Sequence, residues 1–206
     1  FAPNTAWQPG QLQRADYDVS IAPLAENGRP LLAGFCTTYL RLFTHDTSTS
    51  IALETLPVSA PERVFELPAA AQPIGESLAD WVTLAAYELD TAVLQPGQSF
   101  NLALYWQPEQ VLSAGFTAFV QLIGPDGRPI TQRDQIPANG SRPTSGWVPG
   151  EFIRDDFTLS LPPDAPPGAY HLITGLYDSL TGARLPLATR NGDAVTLPQT
   201  IEVKQR

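Results

Sequence analysis

Cysteine, histidine, methionine and basic residues are all scarce in this chain, and each shortage excludes something. Of 206 residues, one is cysteine, two are histidine and none is methionine. The lone thiol, Cys36, rules out an intramolecular disulfide, and its apolar surroundings mark it as a core residue. A structural zinc site needs three or four ligands at short paired spacings. His45 and His171 stand far apart and there is no second thiol, so no metal site of that type is expected. Lys and Arg total 12 against 21 Asp and Glu, for a net charge of -9. A nucleic-acid-binding surface needs clustered cations, and docking on an anionic membrane needs the same. The acidic balance argues against both partners. No apolar run approaches the roughly eighteen residues that a spanning helix requires. The opening residues FAPNTAWQPG have no basic stretch followed by an apolar one, so no signal peptide is expected there. A start at Phe suits a fragment or a processed product, and contact with a membrane would then come only through an upstream segment.

What the chain does contain is turns and alternation. It carries 21 prolines and 15 glycines, while 43% of its residues are hydrophobic, enough for a packed core. Apolar segments bounded by Pro/Gly clusters recur at sandwich-like spacing. GFCTTYLRLF (34–43) and TSIALETLPV (49–58) predict two strands around the polar turn THDTST, and ADYDVSIAPL (15–24) predicts a shorter one. ELPAAAQPIGES (66–77) breaks the pattern and reads as a linker, since Pro68 and Pro73 limit any helix. From Trp81 the alternation is regular: WVTLAAYEL, SFNLALYWQ, GFTAFVQLI, EFIRDDFTLSL, AYHLITGLYD and DAVTLPQTIEV. In the second, Phe100, Leu102, Leu104 and Trp106 share a face opposite Asn101, Ala103 and Tyr105. In the third, Phe116, Ala118, Val120 and Leu122 share one. No convincing helical period occurs in this half. The expected fold is all-β: an immunoglobulin-like antiparallel β-sandwich over 72–206, with an N-terminal β-rich segment or small domain over 1–71 that ends in a linker.

Two turn motifs support the sandwich. GPDG (124–127) is a hairpin signal, with Pro at the second position and Gly127 free to take positive φ. LPPDAPPGAYHL holds Asp164, Gly168 and Tyr170 in an Asp–x–x–x–Gly–x–Tyr arrangement just before a strand. In immunoglobulin-like domains a tyrosine near the start of strand F bonds its hydroxyl back to the chain a few residues upstream. Tyr170 fits that role, Leu172 sits where antibody domains place a core cysteine, and Gly168 belongs to the tight crossing between sheets. These four positions, Gly127, Asp164, Gly168 and Tyr170, read as architecture.

The order of motifs from about Thr83 to Val203 resembles a known domain. The motifs are Leu104-Tyr105-Trp106, Phe119-Val120 to Asp126-Gly127, Gln132 to Pro137, and Pro143-Thr144-Ser145-Gly146-Trp147-Val148-Pro149-Gly150-Glu151. Asp155 or Asp156 to Tyr170, and Gly175 to Pro186, complete the run. The domain follows the last transmembrane helix of bacterial multi-span sugar transferases of the dolichyl-phosphate-mannose mannosyltransferase type, of Chloroflexota and cyanobacterial kind. Transferase chemistry in that family is carried by membrane-embedded loops, none of which is here. The resemblance implies an extracytoplasmic accessory domain with a role in handling glycans, on the cell surface or periplasmic side. The first seventy residues have no place in the pattern.

Catalytic sets are thin. Ser145 has no nucleophile elbow, and G-x-S-x-G is absent. Asp134, Glu151, Asp155 and Asp156 would suit a glycosidase only if two of them faced each other across a cleft; solvated or backbone-bonded acids are the simpler reading. No Asp-x-Asp-x-Asp loop for calcium occurs, and no cofactor is expected. The segment TQRDQIPANGSRPTSGW reads as a long polar connection. There, Trp147 could stack on a pyranose while Gln132, Arg133 and Asp134 bond its hydroxyls. The alternative is a pinned loop in which Arg133 pairs with Asp134 and Trp147 covers the sandwich end. The leading expectation is a non-catalytic domain that binds a glycan or a cell-envelope partner. A structural or adhesive module, and a small β-sandwich glycoside hydrolase, are the alternatives.

Overall fold

The computed structural model of the chain describes residues 34–43, 48–58 and 62–204. The expected strand over 15–24, the turn at His45 and Asp46, and the burial of Cys36 lie outside what is described. Strands β1 (Gly34–Phe43) and β2 (Ser48–Val58) pair antiparallel as a two-stranded sheet.

The rest is a two-sheet sandwich. One sheet holds β3 (Gln72–Leu78), β4 (Val82–Leu89), β6 (Ser99–Pro108) and β9 (Ile153–Ser160), in the order β3-β4-β6-β9. The other holds β5 (Val93–Leu94), β7 (Phe116–Ile123), β8 (Pro129–Gln135), β10 (Gly168–Asp178) and β11 (Val195–Val203), in the order β5-β11-β10-β7-β8. Pairing is antiparallel except where β5 runs parallel to β11. Crossings between the sheets at β6–β7, β8–β9 and β9–β10 give the immunoglobulin-like character.

Period-two burial builds the core. Phe100, Leu102, Leu104 and Trp106 of β6 meet Phe116, Ala118, Val120 and Leu122 of β7 in one buried cluster with Tyr170, Leu172 and Leu176 of β10. Strand β9 alternates without a fault: Ile153, Asp155, Phe157 and Leu159 are buried while Arg154, Asp156, Thr158 and Ser160 are exposed. Ala103 and Tyr105 point to the opposite side of β6, where Ala86 joins them under Leu67 and Ala71.

The corners lock the layers. The Tyr170 hydroxyl donates to the carbonyl of Pro166 at 2.7 Å. Gly168 has φ 146° and its α-carbon faces Pro125, whose Cγ would lie 2.7 Å from an added Cβ. Gly127, at φ 78°, closes the β7–β8 hairpin by donating to the Gly124 carbonyl at 3.0 Å. Asp164 is exposed in the same crossing as Tyr170.

One expectation is corrected. Gln72–Leu78 is a strand rather than linker. Pro73 is tolerated because β3 is an edge strand, where a missing N–H costs no ladder bond.

Candidate functional site

The residues expected to bind a sugar do not form one surface. Gln132, Arg133 and Asp134 lie on β8, not in a loop, opposite Gln121, Val120 and Phe119. A strand sends successive side chains to opposite faces, so Arg133 points away from its two neighbours. Each has a local partner. Gln121 donates to Gln132 at 3.1 Å, Arg133 Nε to Gln135 at 3.1 Å, and the Tyr177 hydroxyl to Asp134 at 3.1 Å. Trp147 is fully buried in the main core cluster and its Nε1 donates to the Arg142 carbonyl at 2.8 Å. An indole enclosed on every side cannot stack on a pyranose. A short 3-10 turn at Thr144–Gly146 tucks it in. The buried Thr144 hydroxyl anchors that turn, donating to Ala114 and accepting from the Phe116 amide, both at 3.0 Å.

The four acids are equally dispersed. Glu151 is fully buried between Arg63 at 2.8 Å and Arg142 at 2.7 Å. Asp155 faces the interior of the sandwich, while Asp156, next along β9, faces outward and pairs with Arg154 at 2.9 Å. Asp134 is exposed on the other sheet. Asp155 accepts from the Gln135 amide at 2.5 Å, from the Ala138 backbone at 2.8 Å and from the Trp106 indole at 3.4 Å. Burial pushes its carboxyl up to about 6 against those three bonds, which favour the charged form. These acids occupy separate environments, which removes the cleft-facing pair that glycoside hydrolysis needs. Among the described residues no group of three or more His, Cys, Asp and Glu could hold a metal ion.

An open cleft lies elsewhere, at one end of the sandwich. Its volume is about 310 Å³ and its lining includes Trp81, Gln110, Ser113, Phe116, Asp178 and Arg184. Trp81 is 40% exposed. It is the last of the three residues that join β3 to β4, after Ala79 and Asp80, which have φ 54° and 60°. Its amide closes that turn by donating to Leu78 at 3.0 Å. Two consecutive left-handed residues suit the twist of a tight hairpin, but neither is the usual Asn or Gly. Such strain concentrates where position matters. Phe116 braces the indole, ring centroids 6.1 Å apart and planes tilted by 57°.

Polar side chains share the lining of this cleft. Asp178 Oδ1 accepts the amides of Leu180 and Thr181, both at 2.8 Å, and these bonds hold its carboxyl below the usual range. The Arg184 guanidinium sits 4.1 Å over the Phe119 ring and reaches Asp193 at 3.5 Å. A cleft lined by an exposed indole together with carboxylate, guanidinium, amide and hydroxyl side chains offers an apolar ring face and hydrogen-bonding groups, a combination that suits a sugar. The sequence carried one trace of this. Trp81 is out of phase with the inward Val82 and Leu84 and abuts a turn, a hint of an outward ring that local sequence alone does not decide. Arg184 left no such trace, since only folding brings it over Phe119 and into the same cleft.

No protein-family model matches the chain, and no curated protein matches it in sequence. Among solved structures it is similar to the CARDB domain of the PF1109 protein from Pyrococcus furiosus, described in complex with di-metal ions. That likeness has 10% identity, covers 58% of this chain and 90% of that one, and has a TM-score of 0.36. It is also similar to the C-terminal domain of wzt, at 15% identity, 66% and 77% coverage and a TM-score of 0.40. A third is the sporulation control protein Spo0M from Bacillus subtilis, at 16% identity, 68% and 51% coverage and a TM-score of 0.37. These are distant likenesses and carry no statement about ligand or activity.

Proposed function

We propose that the sandwich is a non-catalytic, glycan-binding accessory domain of a cell-envelope membrane protein of glycosyltransferase type, placed outside the cytoplasm. The observation that carries the binding half is Trp81: a large ring, half-exposed, set by a strained turn at the rim of a cleft lined with hydrogen-bonding groups. A volume near 310 Å³ is at the small end of ligand pockets and suits one or two sugar rings. The separate environments of Asp134, Glu151, Asp155 and Asp156 support a binding role over hydrolysis. The extracytoplasmic placement rests on the motif resemblance alone.

The test is calorimetric titration with a panel of cell-envelope oligosaccharides, for the wild type and Trp81→Ala. Loss of the stacking face weakens binding about tenfold, equivalent to ~1.4 kcal/mol. Absence of binding to the whole panel, or equal affinity in the variant, overturns the reading. A structural or adhesive module is the second reading. Leu180, 97% exposed, and Val111, 45% exposed, favour it as apolar points near the same end. Concentration-dependent self-association, abolished by Leu180→Asp in a chain that binds no glycan, would put it first.

A further inference from the structure

Residues 62–71 have the composition of a free linker, yet they are anchored to the sandwich at both ends. Arg63, with its side chain 9% exposed, bonds Glu151 Oε1 at 2.8 Å. Arg142 takes Glu151 Oε2 at 2.7 Å and also donates to the Glu62 carbonyl at 3.3 Å. The carboxylate between them is fully buried and also accepts the Val148 amide at 2.7 Å. One residue on, the Val64 carbonyl accepts the Phe152 amide at 2.7 Å in an isolated antiparallel bridge. Further along, Leu67 and Ala71 pack on Ala86, Ala103 and Tyr105, on the outer side of β4 and β6.

The energetics argue against an incidental contact. A buried carboxylate needs its partners, and stripping one away leaves uncompensated charge in a desolvated place. Arg63 also keeps a buried Nε with no hydrogen-bond partner. That cost is borne only where the surrounding contacts over-determine the position.

We propose that residues 62–71 form a clasp that closes over the outer face of the four-stranded sheet. Part of that face is therefore covered by the chain's own residues 62–71. Two grooves on it follow from the docking. One of about 280 Å³, over Glu88, Asn101, Arg154 and Asp156, takes a wall from Ala70, beside Gln72 of β3. The other, of about 240 Å³, over Tyr105, Arg142 and Phe152, takes a wall from Val64 and Pro68. Both are spaces left beside a docked strap. This inference is independent of the glycan cleft, which lies at the end of the sandwich.

Limited trypsin digestion of the full chain tests it. The reference is the Arg190–Asn191 bond, whose arginine side chain is 54% exposed. With the clasp closed, Arg63–Val64 is cut about tenfold or more slowly than the reference, because cleavage waits on local opening. Leu67→Asn removes the apolar end of the clasp and leaves the ion triad intact. It speeds cutting at Arg63–Val64 without changing Arg190–Asn191. In Arg63→Met, hydrogen exchange at the Phe152 amide rises about tenfold while the Leu104 and Leu172 amides stay protected. Should Arg63→Met unfold the whole sandwich, the Leu67→Asn digestion gives the same reading. Equal cutting at the two bonds in the wild type, or no response to Leu67→Asn, overturns the clasp.

Discussion

Asp155 shows how one buried side chain sets a pH response. Burial raises its carboxyl from 3.8 in the open chain to about 6 in the fold. The folded state therefore holds its proton more tightly than the unfolded chain does between those values. Carrying the charge is a cost above pH 6 that disappears as the pH falls toward 4. Two pKa units correspond to at most about 3 kcal/mol. Asp178 works in the opposite sense. Its depressed carboxyl contributes stability above the unfolded pKa, and this is lost only in more acid solution. Urea unfolding of the wild type and Asp155→Asn at pH 7.5, 6 and 4.5 isolates the first effect, because other groups cancel. The stability of the wild type relative to the variant rises as the pH falls through that window. A pH-independent difference contradicts the assignment.

Among the elements, the β3–β4 hairpin carries the clearest strain. Ala79 and Asp80 both sit in the left-handed region, which costs an L-residue roughly 1–2 kcal/mol. Asp80→Gly relieves the second position and matches the usual tight-hairpin pair. Glycine's extra freedom in the unfolded chain offsets part of the gain. The expected net is about 1 kcal/mol of added stability, or roughly 2–4 °C in Tm for a chain of this size. Differential scanning calorimetry checks it, and a lower Tm means the turn is not strained at Asp80. β3 itself was not legible as a strand. Its QPIGESL sequence carries a proline and a glycine, and an edge strand tolerates both because only one side of its backbone must pair. β8 was partly hidden for a related reason. At another sheet edge, PITQRDQ keeps few apolar side chains, so its alternation reads as a polar loop.

At the scale of the whole molecule, Trp147 joins what the chain keeps apart. The loop after β8 drops this indole into the cluster shared by both sheets, with Trp106, Phe116 and Leu185. Trp147→Ala leaves a large void there and strands the Arg142 carbonyl. Removing a buried aromatic costs about 3–5 kcal/mol. Chemical denaturation shows this as a drop in midpoint, whereas a sugar-stacking tryptophan would leave stability nearly unchanged. The contrast with Trp81 is instructive. Both are tryptophans beside turn residues, and their local sequence does not say which is buried.

Alternation along the strands determined the fold class by itself: period-two burial in β6, β7 and β9 is a local property, written into consecutive residues. Turn chemistry was local too, so Gly127 and Tyr170 could be read in place. The candidate site was not local. Trp81, Phe116, Asp178 and Arg184 come from separate turns and strand ends that meet only at one end of the closed sandwich. Likewise Arg63, Arg142 and Glu151 converge on one buried charge from distant positions. Only the tertiary structure decided which tryptophan faces solvent and which carboxylate is enclosed, because burial depends on what the rest of the chain brings alongside.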